Sequence, residues 1–194
     1  MRHLGGLVVG LGLLALPGCA HEEADFPSQE ELYGEQYNPN DFLLLGSGGQ
    51  VVNATVGEDG VIGPEVNLGR YTEDDGQALR GVMFRRPVSL KISRAEAEGL
   101  WGTEPVRVRV TRQEKKLRVE GLVRGRMADV WVGPQELSGS IGSCGYDVER
   151  RGRVYEGSYS CGARVQQVTV QVPETFGRWG DAGFGAALVM LLSP

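Results

Sequence analysis

The side chains best suited to binding chemistry are a set of arginines in the middle of the sequence. Within Pro105–Arg112 arginine alternates with valine, as in a strand with one charged and one apolar face. A guanidinium group binds phosphate or carboxylate groups through two parallel hydrogen bonds, so a row of arginines suits an anionic polymer. The candidate anion-binding residues are Arg107, Arg109, Arg118, Arg124 and Arg126.

A solvated sheet face explains the same arginines more simply. Glu114 and Glu120 lie in the same region and would neutralise part of the positive charge. Charged side chains also protect exposed strands against aggregation. We therefore favour a structural role for these arginines and keep anion binding as the alternative.

Histidine is nearly absent from the chain, and this limits the available catalysis. The two histidines are His3 and His21, close to the amino terminus. A domain without histidine lacks the base of Ser-His-Asp and Cys-His catalysis and the usual ligands of zinc. Carboxylate pairs for glycoside hydrolysis stay possible because Asp and Glu are plentiful, but no spacing selects a pair. We predict a non-enzymatic protein with no cofactor and no catalytic residues.

Two acidic stretches contain enough carboxylates to suggest a metal site. They are Glu58-Asp59-Gly60 and Glu73-Asp74-Asp75-Gly76. Carboxylates on a loop can bind Ca²⁺, but the alternating Asp spacing of calcium loops is missing, and Asp-Gly is first of all a turn signal. We predict turns here and no metal site.

Two cysteines are expected to form a disulfide across a β-hairpin. The sequence from Val148 to Glu156 predicts a hairpin with a two-residue turn that begins at Gly152. In that register Cys144 lies directly opposite Cys161, at a non-hydrogen-bonded site where Cα atoms are about 4.5 Å apart. This separation lies inside the disulfide range. The register and the cysteines agree, although neither was used to fix the other.

The aromatic side chains divide between the predicted core and the predicted surface. The hairpin register makes Tyr146 and Tyr159 a cross-strand pair on the face that carries the disulfide, which indicates core. Trp131 lies between Val130 and Val132 and points to the opposite face of the strand from these valines. Exposed aromatic rings can stack on sugars, so Trp131 is compatible with a glycan ligand.

The first residues have the organisation of a secretory signal peptide. A short positive segment, Met1-Arg2-His3, precedes an apolar run from Leu4 to Leu16 that is too short to cross a bilayer. The next residues, Leu16-Pro17-Gly18-Cys19, resemble the lipobox of bacterial lipoproteins. That resemblance implies cleavage before Cys19 and lipid attachment to it, and Ala20 after the cysteine implies the outer membrane. Several acyl chains would make the anchorage effectively permanent.

The sequence divides into three parts on this interpretation. They are a signal peptide (1–18), the lipidated cysteine with an acidic flexible tether (19–49), and one β-rich domain (50–194). Export to an oxidising compartment makes the disulfide the expected state of the remaining cysteines. The net charge of −5 argues against a nucleic-acid ligand.

Short runs rich in Val, Ile, Tyr and Arg, separated by Gly, Asp, Pro and Asn, predict β-strands throughout the third part. The predicted strands are Gln50–Val56, Val61–Ile62, Pro87–Ser93, Pro105–Arg112, Leu117–Arg124, Ala128–Val132, Cys144–Arg151, Val154–Cys161 and Val165–Val172. A faint internal repeat relates the segment from Gly81 to the segment from Gly121, an offset of 40 residues. We predict an antiparallel meander that forms a sandwich or small barrel, with one or two short helices, including a C-terminal helix at about 181–192.

The expected function follows from the anchor and from the missing catalytic chemistry. We expect a cell-envelope lipoprotein that is held to the membrane by lipid on Cys19 and acts as a binding or scaffold subunit through contacts with an envelope protein. The alternative is binding of an envelope polysaccharide or lipopolysaccharide through the arginine-rich face. No nucleic-acid partner is expected.

Overall fold

The computed structural model describes residues 38–49, 51–73 and 76–194. The expected signal peptide, Cys19 and most of the expected tether lie outside the described residues. Fourteen β-strands, one 3-10 helix and one α-helix make up the described part. The strands are β1 (Asp41–Gly46), β2 (Val51–Val56), β3 (Gly60–Gly63), β4 (Val66–Glu73), β5 (Gly76–Met83), β6 (Arg86–Ile92), β7 (Glu96–Trp101), β8 (Glu104–Gln113), β9 (Lys116–Val123), β10 (Arg126–Val132), β11 (Glu136–Ile141), β12 (Cys144–Arg151), β13 (Val154–Cys161) and β14 (Arg164–Gln171).

The strands form a closed antiparallel barrel in which each strand pairs with its neighbours along the chain. The predicted β meander is confirmed, and it forms a barrel. The barrel closes through β1, whose Leu43 lies opposite Gln171 of β14. The first strand starts at Asp41, earlier than the boundary near residue 50 that the sequence indicated. Residues 41–46, expected in the tether, are therefore part of the barrel wall.

Alternation along the strands separates an apolar interior from a charged outer wall. In β8, Val106, Val108 and Val110 are buried, whereas Arg107 and Arg109 are exposed. Successive side chains of a strand point to opposite faces, so this pattern directs the valines inward.

The interior of the barrel contains the α-helix α1 (Gly180–Leu191). Every side chain from Ala186 to Leu191 is 0% exposed. A helix that is apolar on all sides is stable in water only when other elements cover its whole surface. Here the wall of the barrel covers it, and β7, β8 and β9 contact it. The predicted C-terminal helix is confirmed, and it is the centre of the core. Among the described residues, no helix has the length and apolarity needed to cross a membrane.

The two ends of the barrel differ. At the near end Asn38 leads into β1, and the 3-10 helix (Glu174–Trp179) leads the chain into the interior. There the Trp179 indole donates a hydrogen bond to the carbonyl of Gly57 at 2.9 Å. At the far end lie the turns at 64–65, 84–85, 102–103, 124–125, 142–143 and 162–163, together with the end of α1.

The internal repeat corresponds to repeated strands. Strands β5, β6 and β7 have the same lengths as β9, β10 and β11, and each residue number differs by 40. Gly99 and Gly139 occupy equivalent positions with φ values of +152° and +124°. A Cβ atom at either glycine would overlap a carbonyl oxygen of the preceding strand, Ser89 or Asp129. Glycine therefore permits the same close approach of strands in both copies.

The predicted hairpin has the expected register and the expected disulfide. Cys144 lies opposite Cys161 in the pairing of β12 with β13, and the two cysteines form a disulfide with Cα atoms 4.0 Å apart. Tyr146 and Tyr159 are cross-strand partners with ring centroids 4.8 Å apart. Tyr146 is buried, as predicted for the core.

Candidate functional site

The outer-wall arginines each lie beside a carboxylate on a neighbouring strand. Arg107 is 3.7 Å from Glu98, and Arg109 is 2.7 Å from Glu96. In the pairing of β7 with β8, Glu98 lies directly opposite Arg107 and Glu96 directly opposite Arg109. Most of the positive charge expected for an anion-binding row is therefore balanced locally.

Arg118 is held on the outer wall by several side chains. It donates two hydrogen bonds to the carboxylate of Asp129, at 2.8 and 2.9 Å, and lies 3.1 Å from Glu120. The guanidinium also lies over the ring of Trp131, 5.4 Å from its centroid. The hydrogen bond from Arg118 lowers the pKa of Asp129, against the opposing effect of desolvation. Trp131 is half-buried on the outer wall, beneath this arginine.

The two other candidate arginines lie at the far end of the barrel, apart from the first three. Arg124 is in the turn between β9 and β10, where it donates a hydrogen bond to Glu104 at 3.0 Å and covers the ring of Trp101 at 4.9 Å. The hydrogen bond from Arg124 is the main cause that lowers the pKa of Glu104. Arg126 begins β10 and faces a cavity.

Three more arginines of the described residues lie at this end, and they were not predicted from the sequence as binding residues. Each belongs to a hairpin turn or to the first residue after one, and alternating strands bring all such turns to the same end. Together with Arg124 and Arg126 they form the far-end rim, defined as Arg85, Arg86, Arg124, Arg126 and Arg164. A count of the charges in alternate turns would have found this rim.

The cavity at the far end has a volume of about 380 Å³. It lies between the start of β10, the disulfide-bonded hairpin and the residues that follow α1. Its polar groups include the side chains of Arg126 and Tyr159, and its apolar wall includes Ile141 and Leu192. Burial raises the pKa of Tyr159, and the opposing effect of Arg126 is smaller.

Exposed apolar side chains surround the outer wall near the same end. Each lies two residues from a far-end turn, so they occupy one level of the barrel. We call them the collar: Ile62, Val82, Leu100, Met127 and Val165, with exposed fractions of 68%, 47%, 51%, 68% and 71%. Tyr71, which is 51% exposed, lies nearer the other end.

Additional apolar residues extend the collar across neighbouring strands. Val82 lies opposite Pro87, Leu100 opposite Pro105, and Met127 opposite Leu122. A groove of about 490 Å³ lies in this surface, with Leu100, Pro105 and Leu122 in its lining and Arg107 at its edge. Large exposed apolar patches are typical of surfaces that bind other molecules.

Glu58 and Asp59 lie between β2 and β3, as predicted for a turn, and Glu73 is the last residue of β4. Glu58 forms an ion pair with Arg178, and Glu73 forms one with Arg80. Among the residues that the structure describes, no three His, Cys, Asp or Glu side chains are grouped to hold a metal ion.

No protein-family model matches the chain, and no curated protein or solved structure has significant similarity to it.

Proposed function

We propose that this chain is an exported lipoprotein of the bacterial cell envelope, anchored by lipid on Cys19, whose barrel is a non-enzymatic binding or scaffold subunit. The anchor is proposed on the lipobox residues Leu16-Pro17-Gly18-Cys19, and Ala20 favours the outer membrane. The barrel would act through contact with another envelope protein.

The collar is the single observation that carries the proposed protein contact. Its five side chains place apolar area in water at one level of an otherwise charged wall. Burying such area against a partner is favourable by about 25 cal/mol per Å². Interface cores combine apolar side chains with arginine, and the far-end rim supplies arginines next to the collar.

A protein partner explains the collar better than insertion into a lipid surface does. The rim lies at the tip of the barrel, and the collar lies behind it. Bringing the collar into hydrocarbon would first require the rim arginines to pass below the lipid phosphates, where each charge is costly. A protein surface can supply carboxylates for the rim and apolar side chains for the collar at once.

Site-specific photocrosslinking in cells tests the proposal. A photoreactive amino acid replaces Leu100 in one strain and Tyr71 in another, because both side chains are 51% exposed. We expect a specific envelope protein to be captured from position 100 and not from position 71. Capture should fall with Cys19→Ser, which removes the anchor. Equal capture from both positions, or none from either, would contradict a protein contact at the collar.

Binding of an anionic envelope glycan is the second candidate function. It is supported by Arg107, whose side chain is 78% exposed and whose distance of 3.7 Å to Glu98 is long for an ion pair. This function predicts binding of lipopolysaccharide that weakens with added salt and is lost in Arg107→Glu/Arg109→Glu. Unchanged binding in that variant would remove the candidate.

A further inference from the structure

The two copies of the internal repeat differ at one ion pair. In the first copy, Arg86 lies 2.7 Å from the carboxylate of Glu104. Glu104 follows the turn that contains Gly102, and the side chain of Arg86, from the neighbouring strand β6, lies near this glycine. An offset of 40 residues places Arg126, Gly142 and Cys144 at the equivalent positions of the second copy.

The arginine is kept in the second copy, but the carboxylate is not. Arg126 lies against Gly142, where a Cβ atom would be 2.9 Å from the Arg126 Cδ. Cys144 stands in place of the glutamate and forms the disulfide with Cys161. Among the described residues, no ion pair or hydrogen bond of the Arg126 side chain is present. Arg126 is half-buried, so water solvates its charge only in part. The carboxylate of Glu104 attracts it without direct contact, because Glu104 pairs directly with Arg86 and Arg124.

The surroundings of Arg126 suit an anion with an apolar portion better than a small hydrated inorganic anion. Tyr159 lies on the same cavity, and its raised pKa keeps the phenol protonated and able to donate a hydrogen bond. Ile141, Leu192 and the disulfide line the same space of about 380 Å³. Small-molecule sites commonly have this composition, with mainly apolar walls and a few convergent polar groups.

We propose that the far-end cavity binds a small amphiphilic carboxylate. The ligand carboxylate accepts hydrogen bonds from the Arg126 guanidinium and the Tyr159 hydroxyl, and so takes the part that Glu104 has beside Arg86. Its apolar portion lies against Ile141 and Leu192. This inference uses none of the collar residues; it shares only Arg126 with the far-end rim, and calorimetry on the isolated protein tests it without the protein partner.

Titration calorimetry with octanoate tests this site. The protein is the full chain with Cys19→Ser, which avoids lipid on the protein as a competing source of acyl chains. We expect saturable binding of one octanoate, weakened at least tenfold by Arg126→Gln and several-fold by Tyr159→Phe. Arg86→Gln is the matched control, since it removes the equivalent arginine of the first copy, and it should leave octanoate binding unchanged.

Two further probes examine the chemistry of the ligand. The neutral isostere 1-octanol should bind at least tenfold more weakly than octanoate, because it offers no charge to Arg126. Tighter binding of octyl phosphate than of octanoate would overturn the assignment to a carboxylate. The site itself would be refuted if octanoate does not bind, or if it binds equally to the Arg126→Gln variant with unchanged thermal stability.

Discussion

The hydroxyl of Tyr146 donates a hydrogen bond to the backbone carbonyl of Leu192 at 2.6 Å. It joins the wall of the barrel to the end of the helix inside it, between residues that are far apart in sequence. The tyrosine is buried, and desolvation raises its pKa, so the hydroxyl stays protonated and able to donate. A carbonyl at a helix end needs such a partner because no later turn of helix supplies one.

Replacing Tyr146 with Phe should destabilise the barrel. The ring packing is kept, but the carbonyl of Leu192 loses its donor in the interior, which typically costs about 1–3 kcal/mol. The free energy of unfolding from urea denaturation measures this loss. Tyr71→Phe is the control, since Tyr71 is exposed and should be insensitive to the change. Equal stabilities of the two variants would contradict a stabilising role for this hydrogen bond.

Gly185→Ala should destabilise the protein, against the usual preference of helices for alanine. A Cβ atom at this position would lie 2.7 Å from a methyl carbon of Val110 and 2.9 Å from one of Val119. The helix or the wall must then shift, and overpacking of this kind typically costs about 1–3 kcal/mol. The midpoint of thermal unfolding should fall accordingly.

Gly177→Ala provides the matched control for that substitution. Gly177 lies in the 3-10 helix, and a Cβ atom there would have no neighbour within 4 Å. We expect its melting temperature to stay the same or rise slightly. A Gly185→Ala protein that is as stable as Gly177→Ala would mean that the helix does not lie against Val110 and Val119.

Removal of the disulfide should leave the fold intact but less stable. The bond closes a segment with a sequence separation of 17, for which the entropy of the unfolded chain predicts a contribution of about 3 kcal/mol. The Cys144→Ser/Cys161→Ser variant should therefore unfold at a lower urea concentration than the oxidised protein. Wild-type protein unfolded in the presence of a reductant should match the variant, and a variant as stable as the oxidised protein would contradict the prediction.

The ion pair between Arg118 and Asp129 should make stability depend on acid pH. The pKa of Asp129 is lowered from 3.8 in the folded state, mainly by the hydrogen bond from Arg118. The stabilisation is therefore present above the unfolded pKa and is lost as the pH falls through the lower, folded pKa. Since the Asp129 side chain is 48% exposed, we expect a contribution of only a few tenths of a kcal/mol.

Arg118→Gln should flatten this part of the pH dependence. The free energy of unfolding, measured in steps from pH 6 to about pH 2, should decrease less in the variant than in the wild type. Arg94→Gln serves as the control, because Arg94 forms no ion pair with the other described residues. If both variants follow the wild-type curve, the pair does not contribute to the acid sensitivity.

The sequence predicted nine of the described strands, among them β9, β12 and β13, which contain glycine, and overlooked β1, β4, β5, β7 and β11. The hairpin around Gly152 was placed in its correct register, because the turn and the alternation agree there. The overlooked strands β4, β5, β7 and β11 each contain an internal glycine or a mixed pattern of small residues. Strand propensity is weak at such positions, and only pairing with both neighbours makes these segments extended.

Closure of the barrel and the position of the helix depend on distant contacts. The pairing of Leu43 with Gln171 cannot be derived from alternation, which identifies strands but not their neighbours. The apolar run of β1 follows an acidic segment and was therefore assigned to the tether. The uniformly apolar sequence from Ala186 to Leu192 does indicate burial on all sides, but it does not indicate which element surrounds the helix.

The candidate binding residues could be predicted only in part, because the sequence does not show which strands and turns are neighbours. Arg107, Arg109 and Arg118 share the outer wall as alternation predicts, whereas Arg124 and Arg126 lie at the barrel end. They are grouped with Arg85, Arg86 and Arg164 because the turns that carry these arginines all lie at that end of the barrel. The collar likewise appears only when the strands are aligned around the barrel.

The central position of α1 has a consequence for the order in which the protein can fold. Neighbouring hairpins can pair as soon as they leave the ribosome, because their contacts are local. The helix that fills the interior and β14, which pairs with β1 to close the wall, are synthesised after the other strands. The apolar faces of the early hairpins therefore stay uncovered until the helix has been synthesised, so completion of the core is a late event in folding.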